Sequence, residues 1–300
     1  MPNLLGIVFV LAVMVGAAAI AVFLFRRQKA ARKLKPFQED KLLRGPGESL
    51  RRRVEELSEE FANTILLGSA LTAAVLGVPA LVLKAFPNAN PYLLFGSGIT
   101  LFLAGAIVMI KRSVGLLDRR ANLRLGYIGE RLVAESIEAR LASGWRLFHD
   151  IPISGEWGEA NIDHVVVGGT GVAVVETKMR SKPSDKEAWE NRVRFDGKVL
   201  LWPRCPNDSK TLWQVKKNAE WIGDYLQREC GFSVSVKQVI AIPGWNVEET
   251  VLGQPRVVSG KGAGDAVVQA LGADNATTLS TDQRNRICLA LEALCRDVDV

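Results

Sequence analysis

The chain is poor in the residues that build zinc sites and disulfide frameworks. It has 4 cysteines and 2 histidines in 300 residues. Cys205, Cys230, Cys288 and Cys295 form no Cys-x-x-Cys pair, which argues against structural zinc. They show no disulfide spacing either, so the chain suits a reducing compartment. Cys288 and Cys295 are seven apart and read as two small core residues on one helix face. Charge is missing from three long stretches, residues 4–25, 64–83 and 92–110, which contain no Asp, Glu, Lys, Arg or His. Ionisable groups inside such segments would mark a transport path, so their absence points to an anchor. A phosphate-binding loop is also lacking. In "SGKGAGD" (259–265), Gly262 stands where Ser or Thr must hold Mg²⁺. That stretch reads as a flexible turn before the last helix. There is no internal repeat.

A basic surplus is absent from the larger part of the chain. Residues 1–112 carry 14 Lys and Arg against 7 Asp and Glu, whereas residues 113–300 carry 24 against 25. The net charge of +6 therefore belongs to the first third. Any basic nucleic-acid patch beyond residue 112 has to be local. All 7 tryptophans lie in 113–300, as expected of a globular domain with its own core.

Each uncharged stretch is long enough to span a hydrocarbon layer of ~30 Å. The first is not read as a cleaved signal, because "MPN" offers no basic leader and the charges follow the apolar run. "KAFPNANP" between the second and third reads as the turn of a helical hairpin. "RRQKAARKLK" follows the first stretch and "KRSVGLLDRR" the third, while the intervening turn carries only Lys84. The positive-inside rule then places the N-terminus outside and residues 113–300 in the cytoplasm of a three-span cell-membrane protein. The expected organisation is an anchor over 1–112, with a cytoplasmic linker at 26–63, and a globular domain over 113–300. Within the linker, Leu50, Val54, Leu57 and Phe61 form an amphipathic stripe after "RGPGES". It reads first as a helical lead-in to the second span. A self-association contact there or between membrane helices is the alternative, and the pairs Ala73/Gly77 and Gly96/Thr100/Ala104 permit close packing.

The globular part alternates helix and strand patterns. A helix is expected over 113–143, where Val133, Ile137 and Leu141 step by four. Strands follow at "WRLFHDIPI", "NIDHVVV" and "VAVVETKM", then a small hairpin on Asp196-Gly197. A helix at about 210–229, strands at "VSVKQVIAIPG" and "PRVVSG", and a final capped helix complete a mixed α/β arrangement.

The hairpin "NIDHVVVGGTGVAVVETKMR" (161–180) concentrates the unusual charge. A turn of Gly168 to Gly171 opposes Val167 to Val172, and the same register carries Asp163 to Glu176. Opposed residues share a face with Cβ atoms ~5 Å apart. Lys178, two residues on, points the same way. Opposed like charges destabilise a sheet unless a proton or a cation neutralises them. Few, hard oxygen ligands with room for water suit Mg²⁺ or Mn²⁺. A nearby lysine can position an attacking water or offset phosphate charge. The bland alternative is an ion pair of Lys178 with one acid, which leaves the other buried and unpaired at high cost.

The set Asp163 with Glu176-Thr177-Lys178 resembles the D…(D/E)xK signature of restriction-endonuclease-like nucleases. More narrowly, "GYIGE", "NIDHVVVGGTGVAVVETK" and "LWQVKKNAEWI" look like the nuclease-related domain (NERD) family, over about residues 122–245. No proline precedes Asp163, and Asn161 stands where this family favours glutamine, but neither departure removes a candidate ligand. The resemblance implies a restriction-endonuclease-like mixed sheet flanked by helices, here preceded by three transmembrane α-helices. It implies Asp163 and Glu176 as metal ligands, Lys178 as the catalytic lysine, Glu130 as the acid of the first helix, and Gln214 near the scissile phosphate. Lys217 is a weaker candidate of the same helix. His164 is read as structural, bonded within the sheet.

The leading expectation is a membrane-anchored, Mg²⁺-dependent nuclease acting on nucleic acid, DNA ahead of RNA. Arg180, Lys182, Lys186, Arg192, Arg194 and Lys198 are candidates for a local phosphate patch. A binding module of the same fold is the alternative, favoured by the near-neutral charge of 113–300. A membrane scaffold is the third reading.

Overall fold

The structure is a computed structural model that describes residues 41–153, 160–182, 191–251, 253, 255–272 and 278–299, with residues 16, 20, 23, 24 and 27. Most of the apolar stretch 4–25, residues 28–40 of the linker and Lys186 lie outside the described residues. The chain divides into two compact units. One comprises Met1–Gln38 with Val54–Ala121, the other Glu39–Arg53 with Asn122–Val300.

Two helices dominate the first unit, α1 (Glu48–Ala85) and α2 (Pro91–Glu138). Both are long and apolar enough to cross a membrane. Asn90 caps α2 by accepting from the amides of Tyr92 (2.9 Å) and Leu93 (3.4 Å), and Pro91 takes the first helical position. Pro79 lies inside α1 and removes the donor that Val75's carbonyl would use. Gly98 of α2 approaches that carbonyl, so the site of the missing bond is covered by a neighbouring helix. The helix expected over 113–143 proves to be the continuation of the third apolar stretch. No proline or glycine pair interrupts "KRSVGLLDRRANLRL", so α2 runs on to Glu138.

The second unit is built on a mixed five-stranded sheet of order β2-β3-β4-β7-β9. Its strands are β2 (Arg146–Ile153), β3 (Ala160–Val167), β4 (Val172–Thr177), β7 (Val236–Ile242) and β9 (Arg256–Ser259). The first three pair antiparallel, and β4, β7 and β9 pair parallel. Both faces of the sheet are covered, which is why its strands read as runs of valine and isoleucine rather than strict alternation. On one face Val165, Val167, Val172 and Val174 pack with Ile222 and Leu226 of α3 (Lys210–Cys230) and Ile287 and Leu291 of α5 (Thr281–Cys295). On the other, Val166, Ala173, Val175 and Val239 meet Val133 and Ile137 of α2 and Val267 and Leu271 of α4 (Ala263–Gly272).

Three short strands, β5 (Arg192–Phe195), β6 (Leu200–Leu201) and β8 (Asn246–Glu249), form a separate sheet of order β6-β5-β8. The hairpin expected on Asp196-Gly197 is present, with Asp196 Oδ1 accepting from the amides of Lys198 and Val199 at 2.9 Å each. Strand β8 went unrecognised in the sequence, as did β1 (Lys41–Leu43) and β10 (Arg296–Asp299), which pair antiparallel. The stretch 259–265 is not a flexible turn. It closes β9, makes one 3₁₀ turn and opens α4. A Cβ on Gly264 would collide with the carbonyl of Ser136, so glycine there serves close packing of α4 on α2.

Candidate active site

Strands β3 and β4 pair as Val167↔Val172, Val166↔Ala173, Val165↔Val174 and His164↔Val175, the register expected from the glycine turn. The backbone ladder ends one step before Asp163 and Glu176. There the Asp163 side chain takes over, its Oδ2 accepting from the amide of Thr177 at 2.6 Å. On the other side of β3 the ladder joins His149↔His164 and Ile151↔Ile162, and passes over Asp150, whose φ is 49°. The two registers set Asp150, Asp163 and Glu176 in one row across three strands.

Two acids of this row, Asp150 and Glu176, are buried and Asp163 between them is half-buried. Glu176 is 4 % exposed and Asp150 2 %. Burial, and then the Asp163 charge, push the Glu176 carboxyl well above its ordinary range, against the pull of Lys178. Burial raises Asp163 to about 7, although the Thr177 amide and Lys178 draw it down. Glu130, on α2, joins them: burial first, then the charges of Asp163, Asp150 and Glu176, raise it to about 10. Its Oε2 is buried without a hydrogen-bond partner, and the nearby Gly47 amide draws the carboxyl down only slightly. Lys178 is held by its own amide, which donates to the Ala241 carbonyl at 2.9 Å. Among the described residues it forms no direct ion pair with either acid, so the bland alternative is not what the side chains adopt.

Helix α3 supplies the polar face over β4. Asn218 is 5 % exposed and donates from Nδ2 to Glu176 Oε2 at 3.2 Å. Gln214 lies one turn earlier on the same side of α3 and is half-buried. Lys217 is paired instead with Glu220 at 2.7 Å. Asp208 caps the helix by accepting from the Thr211 amide and hydroxyl, both at 3.0 Å, and pairs with Arg180 at 3.0 Å. Its charge also reaches Glu176. Asn218, Asp150 and Asp208 were not singled out in the sequence. Asn218 had a legible signal, its spacing of four from Gln214.

His164 is fully buried on the side of α2. Its Nδ1 lies 3.0 Å from His149 Nδ1, and its Nε2 3.4 Å from Thr177 Oγ1. Beyond Lys178, Arg180 stacks over Trp202 at 4.6 Å and Lys182 over Trp245 at 5.8 Å. Arg192 and Arg194 pair with Glu248 at 3.4 and 3.7 Å.

Among the described residues no three His, Cys, Asp or Glu side chains are grouped closely enough to form a metal cage by themselves. A hard cation that keeps most of its water needs fewer, because one or two carboxylates suffice for Mg²⁺. The mutual repulsion of Asp163 and Glu176 and the orphaned oxygen of Glu130 are the features such a cation would relieve.

Residues 125–243 match the nuclease-related domain family. That match covers 119 of the chain's 300 residues. The matched span opens just before Glu130, takes in the whole charged hairpin and α3, and ends one residue after β7. The family's description suggests nuclease-like function and nucleic-acid binding for residues 125–243. No curated protein and no solved structure matches the chain.

Proposed function

We propose that the nuclease-related domain is a metal-dependent phosphodiesterase of restriction-endonuclease-like fold that cleaves nucleic acid, DNA ahead of RNA. The observation that carries this is the convergence of Glu130 and Glu176, both buried, with the half-buried Asp163, whose charge raises the other two, beside Lys178, which makes no ion pair among the described residues. Asp163 and Glu176 would hold Mg²⁺ or Mn²⁺, with Glu130 at the edge of the same site. When bound, the cation would supply Lewis-acid polarisation of a phosphate oxygen. Lys178 would take or hold the proton of the attacking water and offset charge on the phosphate. Asn218 fixes the Glu176 carboxylate, and Gln214, one turn away, would bond the phosphate or the water. Arg180 and Lys182, held over Trp202 and Trp245, would meet the backbone beyond the scissile bond.

The anchor belongs to the same reading. Helices α1 and α2 would form a membrane hairpin, with residues 4–25 as a third span, the N-terminus outside and the domain in the cytoplasm of the cell. Self-association would use the outward faces of the apolar helices. Within the 50–61 stripe, Leu50 packs on Gly126 of α2, and Phe61 faces the groove between α1 and α2.

The test is cleavage of plasmid and single-stranded DNA by the full chain in detergent, with and without Mg²⁺. Mg²⁺-dependent cleavage lost in Asp163→Ala and Lys178→Ala is the expected result. Absence of cleavage, or cleavage unchanged in both variants, overturns the enzyme reading. Salt-dependent DNA binding without cleavage would establish the second reading, a binding module, which the near-neutral charge of 113–300 favours.

A further inference from the structure

The candidate acids are braced by a part of the chain that lies far outside the matched span. Residues 41–49 lead into the first turn of α1 and belong to the same compact unit as the matched span from Asn122 onward. Strand β1 pairs with β10, and the Arg44 amide donates to the Cys295 carbonyl at 2.8 Å. That pairing delivers the Arg44 guanidinium between two acids. Nε and Nη2 grip Asp297 at 2.8 and 2.5 Å, while Nη1 reaches the Asp150 carboxylate at 3.0 Å and its carbonyl at 3.1 Å. The Arg44 side chain is 11 % exposed, so the pair is not a solvated surface contact.

The following residues extend the brace. Ser49 donates to Asp150 from its amide at 2.9 Å and from its hydroxyl at 2.5 Å. Gly47, at φ 69°, turns the chain against α2, where a Cβ would strike the Tyr127 ring and lie 3.5 Å from Glu130 Oε2. Glu48 is clamped by Arg51 at 2.7 Å and Arg52 at 2.9 Å, which fixes the start of α1 beneath this turn.

We propose that residues 41–49 are a working part of the acidic site, with Arg44 as the positioning residue that neutralises Asp150 and holds it and Glu130 in place. Without that guanidinium, Asp150 is a fourth uncompensated acid in the row and the arm that orders Glu130 is released. A fragment that begins just after the apolar stretch 92–110 keeps every candidate ligand and the entire matched span, yet loses the brace. The inference rests on the metal-site reading and deepens it, since it assigns the residues that shape the site's cation affinity.

The experiment is a Mn²⁺ titration of the full chain in detergent, followed by electron paramagnetic resonance, with amide hydrogen exchange of Arg44 and Ser49 as a second readout. Arg44→Ala is expected to weaken Mn²⁺ binding by about tenfold or more, the size usual for lost outer-shell partners. Arg44→Lys should recover part of it, and Asp150→Asn in the Arg44→Ala background most of it, because the charge in need of neutralising is gone. Exchange at residue 44 and Ser49 should be slow in the wild type and fast in Arg44→Ala. Wild-type Mn²⁺ affinity in Arg44→Ala overturns the proposal. A wild-type chain that binds no Mn²⁺ refutes the metal reading instead. The brace is then decided by exchange alone: equal rates in wild type and Arg44→Ala overturn it, and slowed exchange lost in Arg44→Ala sustains it.

Discussion

Asn218 of α3 donates to Glu176 of β4 at 3.2 Å, a buried bond between groups 42 residues apart. Among the described residues it is the side-chain hydrogen bond that ties a candidate metal ligand to the helix layer. A carboxylate so placed keeps its orientation whether or not its charge is neutralised. The same bond ties the helix carrying Gln214 to the strand carrying Lys178, so the α3 register sets the geometry of both.

Asn218→Leu keeps the volume and removes the donor. Glu176 is then left buried with one fewer partner, at a cost of about 1–3 kcal/mol. Chemical denaturation of the full chain should show that loss, and the Mg²⁺ concentration for half-maximal cleavage should rise. Unchanged Mg²⁺ dependence with reduced stability would limit Asn218 to packing.

The β3–β4 register was legible because the valine runs fix two faces and the glycines fix the turn, so Val167↔Val172 leaves a single pairing for the residues behind it. The convergence of Asp163, Glu176 and Lys178 follows from that alone. Asp150 was not legible. It reads as one residue of an apolar strand, and its importance rests on Arg44, 106 positions away, and on a β1–β10 pairing across more than 250 residues. Contacts of that separation leave no periodic trace. The helical nature of 263–272 was hidden by its glycines, which suggest a loop until the carbonyl of Ser136 shows why no side chain fits.

The repulsion among the acids fixes the sign of a pH effect. Asp163 is raised from 3.8 to about 7, and Glu130 from 4.5 to about 10. A raised group contributes stability below its ordinary value and loses it as pH climbs through the folded one. The metal-free chain should therefore melt at lower temperature at pH 8 than at pH 5. Added Mg²⁺ should raise the melting temperature more at pH 8, and Asp163→Asn should flatten the metal-free slope. A cation effect that is equal at both values would contradict the proposed ligands.

The histidine pair acts in the opposite direction. His149 is lowered by burial from 6.5 to about 4, and burial with the neighbouring His149 lowers His164 further. A depressed histidine contributes stability above its ordinary value and loses it as pH falls through the folded one. Between pH 6.5 and about 4 the melting temperature should fall as the pair is forced to charge. His149→Asn, which keeps a hydrogen-bonding group beside His164 but does not titrate, should shallow that limb. Cleavage at neutral pH should survive, because the pair faces α2 rather than α3.

Lys178 separates catalysis from structure most sharply. Among the described residues it makes no direct ion pair, so its removal breaks no bond that holds the hairpin. Lys178→Met keeps the aliphatic stem and removes the ammonium. Stability should change little or, since the Lys178 charge lowers Asp163 and Glu176, fall modestly in the metal-free state at high pH. Turnover should fall by about 10²–10⁴, the range for loss of a positioned acid–base group, with DNA binding retained. Lys178→Arg should rescue little, because guanidinium does not give up a proton near neutrality. A rescue by arginine would assign the position to phosphate charge alone and leave proton transfer to another group.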